Sequence, residues 1–367
     1  MNLLGIHLTL MFGKEFPSLA SPFIVENLRS VEVTHPAEGP SGFQMTFHVG
    51  RSSVFDLLDY RLLKSRLLEP DSRVVIVVRF GIAPQVLMDG IITNHQLTPS
   101  NEPGASTLSV TGEDISFLMD REGINRPFRA QSDFAIVTQI VGKYQKYGLT
   151  LASAPPSEPK ASNPPNPQDE RPQTMLMTDR AFLQNLAQQY GFVFYVTPGP
   201  LPGFSQVHWG SPERERKQSG ELSVNMGPFS NVESINFRRD GLSPQEVAFN
   251  VNQRERTISK PDDSRAVPLA RERDEPRRKV FLTCGDPRRL ELRAQGMVNR
   301  SFDKAVTATG KLDVLRYNRL LEPHTLVEVR GAGDNYNGSY QVESVTHTIR
   351  EGQYTQSFTL TRDGTGQ

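Results

Sequence analysis

Apolar and polar positions repeat along most of this chain, and the period of the repeat sorts it into strands and helices. Near the start Ile6, Leu8, Leu10 and Phe12 fall at every second position, the spacing of a strand with one buried face. Residues 31–34, 44–49, 73–80, 85–93 and 107–112 are β-branched or aromatic and lie between Gly or Pro clusters, which predicts further strands. The run 74–78 is apolar throughout and predicts a strand covered on both faces. One helical stripe interrupts them over 54–68, through Val54, Leu57, Leu58, Leu62 and Leu68, with Ser52 or Ser53 placed to cap it. Regularly spaced strands around one short helix predict a compact β-barrel over residues 1–120.

The texture changes over 121–230, which reads as a smaller inserted α/β section. Phe134, Val137, Ile140, Val141 and Tyr144 share one face of a predicted helix over 134–147, capped by Ser132 or Asp133. Residues 154–172 hold seven prolines and almost no large apolar side chain, so a mobile loop is expected there. A second helix over 178–190 carries Phe182, Leu183, Leu186, Ala187 and Tyr190 on one face, with Thr178 or Asp179 as cap. Gly191 is suited to end it in the left-handed conformation, and 192–196 reads as a buried strand.

Strands resume at 231–238 and 245–251. The stretch 254–279 mixes nine basic with six acidic residues and has no interleaved aromatics, so it reads as a solvated charged loop rather than a nucleic-acid arm. A helix is predicted over 287–305 through Leu290, Ala294, Met297 or Val298, and Phe302. Strands over 326–330, 340–349 and 355–361 complete a second barrel within 231–367. The expected fold is mainly β (α+β): two antiparallel β-barrels enclosing the α/β section.

Composition narrows the function classes. A chain of 367 residues with 37% hydrophobic and 22% charged residues can fill two or three cores. Basic and acidic residues balance at 41 each, which gives no long-range attraction to nucleic acid or anionic membrane. The lone cysteine, Cys284, excludes an intrachain disulfide or thiolate cluster and reads as a small buried side chain. No basic residue precedes the first apolar run and no run reaches membrane-helix length, so neither a signal peptide nor membrane insertion is expected. Gly331-Ala332-Gly333 with Gly338 follows a strand but precedes another strand, so it reads as a hairpin loop rather than a nucleotide site. The seven histidines (His7, His35, His48, His95, His208, His324 and His347) show no metal-ligand spacing and read as satisfied or exposed strand residues. Trp209 reads as core or interface rather than a sugar platform. No catalytic residue, cofactor or metal site is predicted. A carboxylate pair, whose separation is tertiary, leaves a hydrolase as the alternative.

Three segments carry a family resemblance. Thr178–Ala187 with Tyr190–Tyr195 resembles the D-x-x-F-L-x-x-L-A-x-x-x-G-F-x-F-Y stretch of phage tail protein D and related baseplate hubs, through Asp179, Phe182, Leu183, Leu186, Ala187, Gly191, Phe192 and Tyr195. Residues 337–347 resemble that family's G-x-Y-x-V-x-x-V-x-H strand, through Gly338, Tyr340, Val342, Val345 and His347. Residues 352–362, with Tyr354 and Phe358, are similar to its closing hairpin arm. The resemblance is clear over about residues 178–364, and the proline-rich and charged stretches depart from the family pattern.

The resemblance implies a structural hub of contractile phage tails or related injection systems, assembled in the bacterial cytoplasm and placed in the tail or injection-particle baseplate. Its implied partners are two further copies in a homotrimer, a hexameric tail tube, a trimeric spike on a separate polypeptide, and other baseplate proteins. Nucleic acid enters only as cargo through the lumen. A tail-associated peptidoglycan hydrolase on a β-rich scaffold is the alternative. A receptor-binding fibre is disfavoured because no repeat of about 20–50 residues occurs.

Overall fold

A computed structural model describes residues 2–3, 6–49, 62–63, 65–80, 83–102, 105–124, 128, 131–152, 177–212, 217–251, 253–262, 268–283 and 287–366. The first part contributes β1 (Asn2–Leu3), β2 (Ile6–Gly13), β3 (Ser18–Leu19), α1 (Pro22–Glu26), β4 (Leu28–Pro36), β5 (Gly42–His48), β6 (Arg73–Phe80), β7 (Ala83–Thr98) and β8 (Thr107–Asp114). The middle part holds β9 (Gly123–Ile124), α2 (Asp133–Gly142), β10 (Leu149–Leu151), β11 (Met177–Thr178), α3 (Asp179–Tyr190), β12 (Val193–Pro198) and β13 (Ser205–Gly210). The last part runs through β14 (Lys217–Ser223), β15 (Val232–Arg239), β16 (Gln245–Val251), β17 (Arg254–Ile258), β18 (Arg278–Leu282), α4 (Pro287–Asp303), β19 (Val306–Asp313), α5 (Val314–Tyr317), β20 (Leu326–Arg330), β21 (Gly338–Arg350) and β22 (Gln353–Arg362).

All strands of the first part and all of the last part but β16, β17 and β18 belong to one 14-stranded sheet, whose main path is β1-β2-β6-β7-β8-β5-β4-β21-β22-β19-β15, with β20 and β14 branching from β21 and β3 pairing with β2. The fold is therefore mainly β, and almost all pairings are antiparallel. The two ends meet edge to edge where β4 pairs with β21, from Ser344↔Pro36 to Arg350↔Ser30. A single main core follows the sheet across that seam. It contains Ile6, Leu10, Phe12, Val31 and Met45 from one end, and Val306, Tyr340, Val342 and Phe358 from the other. The alternation of β2 places Ile6, Leu8, Leu10 and Phe12 inward, as its period requires. β6 is covered on both faces: Val74, Ile76 and Val78 enter the main core, while Val75 and Val77 join Val86 in a small second cluster.

β21 is a branch point. Residues 338–341 pair with β20 and residues 344–350 with β4, while on the opposite edge residues 341–350 pair with β22, with a bulge between Val342 and Ser344. Glu343 sits at that bulge, between the stretches paired with β20 and β4; its carbonyl accepts from Ala37 N at 2.6 Å and its carboxylate meets Lys304 at 3.1 Å. β7 turns a similar corner, pairing first with β6 and then with β8. Each half also places a phenylalanine ring over a cross-strand glycine. Phe43 is the partner of Gly112, where a Cβ would lie 2.2 Å from the Ile91 carbonyl and 2.4 Å from the ring. Phe358 is the partner of Gly310, where a Cβ would lie 2.5 Å from both its ring and the Ser234 carbonyl. Only glycine allows a ring to lie on the neighbouring backbone at such sheet corners.

The middle part has its own sheet, β10-β13-β12, and its own core of Ile136, Val137, Ile140, Val141, Leu183, Leu186 and Trp209 among others. A third sheet, β17-β16-β18, lies under α4, which buries Leu290, Ala294, Val298 and Phe302 against Val247 and Phe249. Met297 is only partly buried, so Val298 completes the stripe. Among the described residues no helix is long and apolar enough to cross a membrane.

Several expectations change. The charged stretch 254–279 is not simply a solvated loop: it supplies β17 and β18, and residues 269–273 are fixed to the end of β22. Leu269 N and Ala270 N donate to Asp363 Oδ1 at 3.1 and 2.9 Å, and Arg273 pairs with the same carboxylate at 2.6 Å. A buried carboxylate needs such donors, and this segment provides them. The helix expected over 134–147 ends at Gly142, followed by a single turn that closes at Gly148 in the left-handed region. The strand expected over 85–93 runs from Ala83 to Thr98, because the polar Asp89 in its middle is paired rather than solvated. Strands β13 and β14 were not expected. Of the helix expected over 54–68, residues 54–61 and 64 lie outside the described residues; Leu62 and Leu68 are buried, and Arg66–Leu68 form one tight turn. Residues 154–172 and Cys284 also lie outside them.

Candidate functional site: the cleft between the halves

The residues of the first family-like segment gather in the middle core. Thr178 caps α3, its hydroxyl accepting from Ala181 N at 3.2 Å, which leaves Asp179 free for another role. Its buried carboxylate accepts from Lys143 Nζ at 3.0 Å and from the Tyr144 hydroxyl at 3.1 Å, tying α3 to the end of α2. Burial and the adjacent Asp179 carboxylate raise the Tyr144 phenol, which keeps it a donor. Leu183, Leu186 and Ala187 are buried, and Phe182 stacks on Phe128 with centroids 5.5 Å apart. Gly191 ends the helix at φ 68, and a Cβ there would lie 2.8 Å from the Cα of Gly296 in α4. Phe192 meets Trp209 edge-on at 5.2 Å, and Trp209 Nε1 donates to the Leu183 carbonyl at 3.2 Å.

Tyr195 faces the last part of the chain. Its ring is stacked between His208, 4.6 Å away, and His324, 3.6 Å away. The other two segments lie in the large sheet. Gly338, with φ 121, packs under the guanidinium of Arg362, which also covers the Tyr340 ring at 5.3 Å. Val342, Val345 and Phe358 are core residues. His347 and Tyr354 are buried partners, with His347 Nδ1 and the Tyr354 hydroxyl 2.8 Å apart.

A cleft of about 790 Å³ lies where all three parts of the chain meet, and of the family-like segments only His347 lines it. Pro84–Leu87 of β7 form one wall, Thr197–Pro200 and Gln206 another, and Gln218 with residues 318–323 and Thr325 a third. His35 and His347 lie at its base, edge to face at 5.6 Å, on opposite sides of the β4–β21 seam. Burial lowers the His35 imidazole to about 4, with a hydrogen bond to the Leu87 backbone opposing that shift. Burial, and then the neighbouring His35, lower His347 well below the usual range. Both rings are therefore neutral near pH 7. Ser41 Oγ lies 3.0 Å from His35 Nδ1, and Gln356 Nε2 lies 3.4 Å from His347 Nδ1. Gln85 reaches across to Glu322 at 2.8 Å.

Arginines fasten this arrangement. Arg73, fully buried, pairs with Asp89 through two 2.7 Å bonds and also donates to the Glu15 and Gly203 carbonyls at 3.1 and 2.9 Å. Arg362 is equally buried but donates to carbonyls: Leu269 at 3.0 Å, Asn337 at 2.8 Å, and Gly366. Arg289 of α4 pairs with Asp133 of α2 and lies over the Tyr190 ring at 5.1 Å. Sequence reasoning singled out none of these arginines, nor the meeting of His35 with His347. Their partners are far away in the chain and no local spacing marks them. Among the described residues no group of His, Cys, Asp and Glu is arranged to hold a metal ion.

No protein-family model matches the sequence, and no curated protein matches it at a significant level. Solved structures do match in fold. A tail protein of Neisseria meningitidis MC58 superposes with a TM-score of 0.65 at 13% identity, covering 99% of this chain and 98% of that one. The 43 kDa tail protein of prophage MuSo2 from Shewanella oneidensis gives 0.64 at 13% identity, covering 98% of each chain. A type VI secretion system component of E. coli, described as similar to the T4 tail proteins gp27 and gp5, gives 0.53 at 13% identity, over 91% of this chain and 73% of that one. This chain thus has the fold of phage-tail and type VI secretion tail proteins.

Proposed function

We propose that this protein is a structural, non-catalytic baseplate hub that joins a hexameric tail tube to a trimeric spike in a contractile tail or injection particle. The observation that carries this reading is the repetition inside one chain: two halves of a single sheet, each with a phenylalanine over a cross-strand glycine. A homotrimer of such chains offers six similar modules to a sixfold partner while keeping threefold symmetry for a spike. Residues 1–120 and 231–367 are the two tube-like modules in this reading, and 121–230 braces them. The shared fold with tail proteins supports a place in a tail or injection particle, in contact with other baseplate proteins. The motif residues Asp179, Phe182, Leu183, Leu186, Ala187, Gly191, Phe192, Tyr195, Gly338, Tyr340, Val342, Val345, His347, Tyr354 and Phe358 act as packing and hydrogen-bonding residues.

Class averages of the purified protein by negative-stain electron microscopy test it. Threefold rings with a central hole are expected, alone or with the cognate spike. Monomers in the presence of both spike and tube protein would overturn the hub reading, and clearing of a peptidoglycan suspension would overturn the non-catalytic one.

A further inference from the structure

We infer that copies of this chain join head to tail through a second β seam, in which β15 of one copy pairs antiparallel with residues 94–98 of β7 in the next. The inference deepens the hub reading and rests on it for the number of copies. The two halves match strand for strand: the order β6-β7-β8-β5-β4 recurs as β20-β21-β22-β19-β15, with every neighbouring pair antiparallel. Their irregularities match as well. β4 bulges between Leu28 and Ser30 and β15 between Val232 and Ser234, while β7 bulges between Ile92 and Asn94 and β21 between Val342 and Ser344. Just before its bulge, Ile92 makes two backbone bonds, to Asp71 N and Ser72 O, both at 2.9 Å. Val342 makes the same two, to His324 N at 3.1 Å and Thr325 O at 2.9 Å. Beyond these bonds the strands part ways. β21 continues along β4 through 344–350, whereas among the described residues 94–98 pair with β8 alone. At the far end of the sheet β15, the counterpart of β4, pairs with β19 alone. One chain therefore holds a filled seam and both separate edges of another.

The side chains along the two edges fit an unfilled seam. Val31 and Val33 of β4 are fully buried, but their counterparts in β15, Ile235 and Phe237, are only half-buried against the main core. Leu97, which stands where β21 has the buried His347, is half-buried too. Residues 94–96 and 98 are exposed, as are 236, 238 and 239. Carrying the internal register across the two copies sets Leu97 opposite Phe237, so that each covers the other's open side. It also sets Gln96 opposite Arg238 and Asn94 opposite Asp240, which brings no carboxylate against another and no lysine or arginine against another. In the internal seam Thr346 and Thr34 hold the places of Gln96 and Arg238, and their hydroxyls are 3.1 Å apart. A bare strand edge invites pairing, and the backbone that matches these bulges and this register is a second copy of the same chain. Each copy offers one edge of each kind, so the contact is heterologous and suits closure into a ring.

The test is disulfide trapping of the full chain, with Cys284→Ser to remove the native thiol. Gln96→Cys with Arg238→Cys sets two thiols at a cross-strand pair, whose Cα separation of about 4.5–5.5 Å a disulfide spans. Mild oxidation is expected to convert most of the chain into linked dimers and trimers on non-reducing gels, while each single variant stays unlinked. The two single variants expressed together are expected to give linked dimers and nothing larger. Gln96→Cys with Ser234→Cys, four residues out of register, is expected to link roughly tenfold less, because its Cα atoms lie beyond the reach of a disulfide. No link in the matched pair, or equal linking in both pairs, overturns the seam. Threefold rings in micrographs of such an unlinked sample overturn the seam and leave the hub reading standing. Linked chains that run past three copies support the seam and overturn the three-copy ring.

Discussion

The two halves of the large sheet each bury one arginine completely, yet they neutralise it differently. Arg73 in the first half faces a carboxylate, Asp89, in a two-bond pair, and uses its remaining donors on the Glu15 and Gly203 carbonyls. Arg362 in the second half is held by the carbonyls of Leu269, Asn337 and Gly366 and by the face of Tyr340. The carboxylate next to it in sequence, Asp363, is turned to Arg273 and the Leu269 and Ala270 amides instead. In both halves the guanidinium fixes a loop from elsewhere: 199–204 on the first, 269–273 and 335–337 on the second. A paired charge makes the first attachment costly to break from one side, whereas carbonyls in loops can turn to water.

That contrast leads to the largest expected effect. Arg73→Met leaves Asp89 buried without its cation and is expected to cost about 3–5 kcal/mol. Arg362→Met strands carbonyls and should cost about 1–3 kcal/mol. Urea unfolding midpoints measure both, and equal losses would remove the distinction between the halves. Next comes the part that braces them: Leu186→Ala is expected to cost about 2–5 kcal/mol, through lost transfer energy and a cavity. A melting temperature near wild type would mean that the α3 face is not packed.

The seam between the halves gives a pH test. His35 is neutral in the fold down to about 4, while the unfolded chain takes up that proton near 6.5. Between these values the unfolded state binds more protons, so stability falls as pH is lowered from 6.5 towards 4, by roughly 3 kcal/mol from His35, and His347 adds in the same direction. Urea midpoints across that window check it, and His35→Gln should flatten the slope. An unchanged slope in that variant would show that the acid sensitivity arises elsewhere. The smallest effect compares the glycine corners. Gly112→Ala and Gly310→Ala should each lose about 1–3 kcal/mol by overpacking. The two losses should add, because the sites share no partner. Phe43→Leu in the first case and Phe358→Leu in the second should recover part of the loss in double-mutant cycles, and no recovery would place the strain in the backbone alone.

Periodicity exposed what is local. The alternation in β2, the apolar run of β6, the stripes of α3 and α4 and the left-handed stop at Gly191 all follow from near neighbours in sequence. The stretch 254–279 misled because its charges look solvated while several are spent in pairs: Arg273 on Asp363, Arg239 reaching to Asp274, Lys279 to Glu255. The candidate cleft was least legible. His35 and His347 have ordinary strand surroundings in sequence, and only the β4–β21 pairing brings their rings together. Arg73 and Asp89 stand 16 residues apart, with nothing between them to mark the pair. Trp209 reads as core or interface and lies in the middle core, but the bounds of its strand do not show in the sequence because Ser205–Gly210 carries as many polar as apolar residues.

The pairing of β4 with β21 also sets a schedule for synthesis. Residues 28–36 leave the ribosome early, but their edge partner, 344–350, is made only after some three hundred further residues. At roughly 5–20 residues per second that interval lasts on the order of 15–60 s. Throughout it the nascent first half carries an unsealed strand edge, a surface on which other chains can pair. Completion of β21 closes that edge and joins the two halves in the same step, so the last strands made are the ones that protect the first.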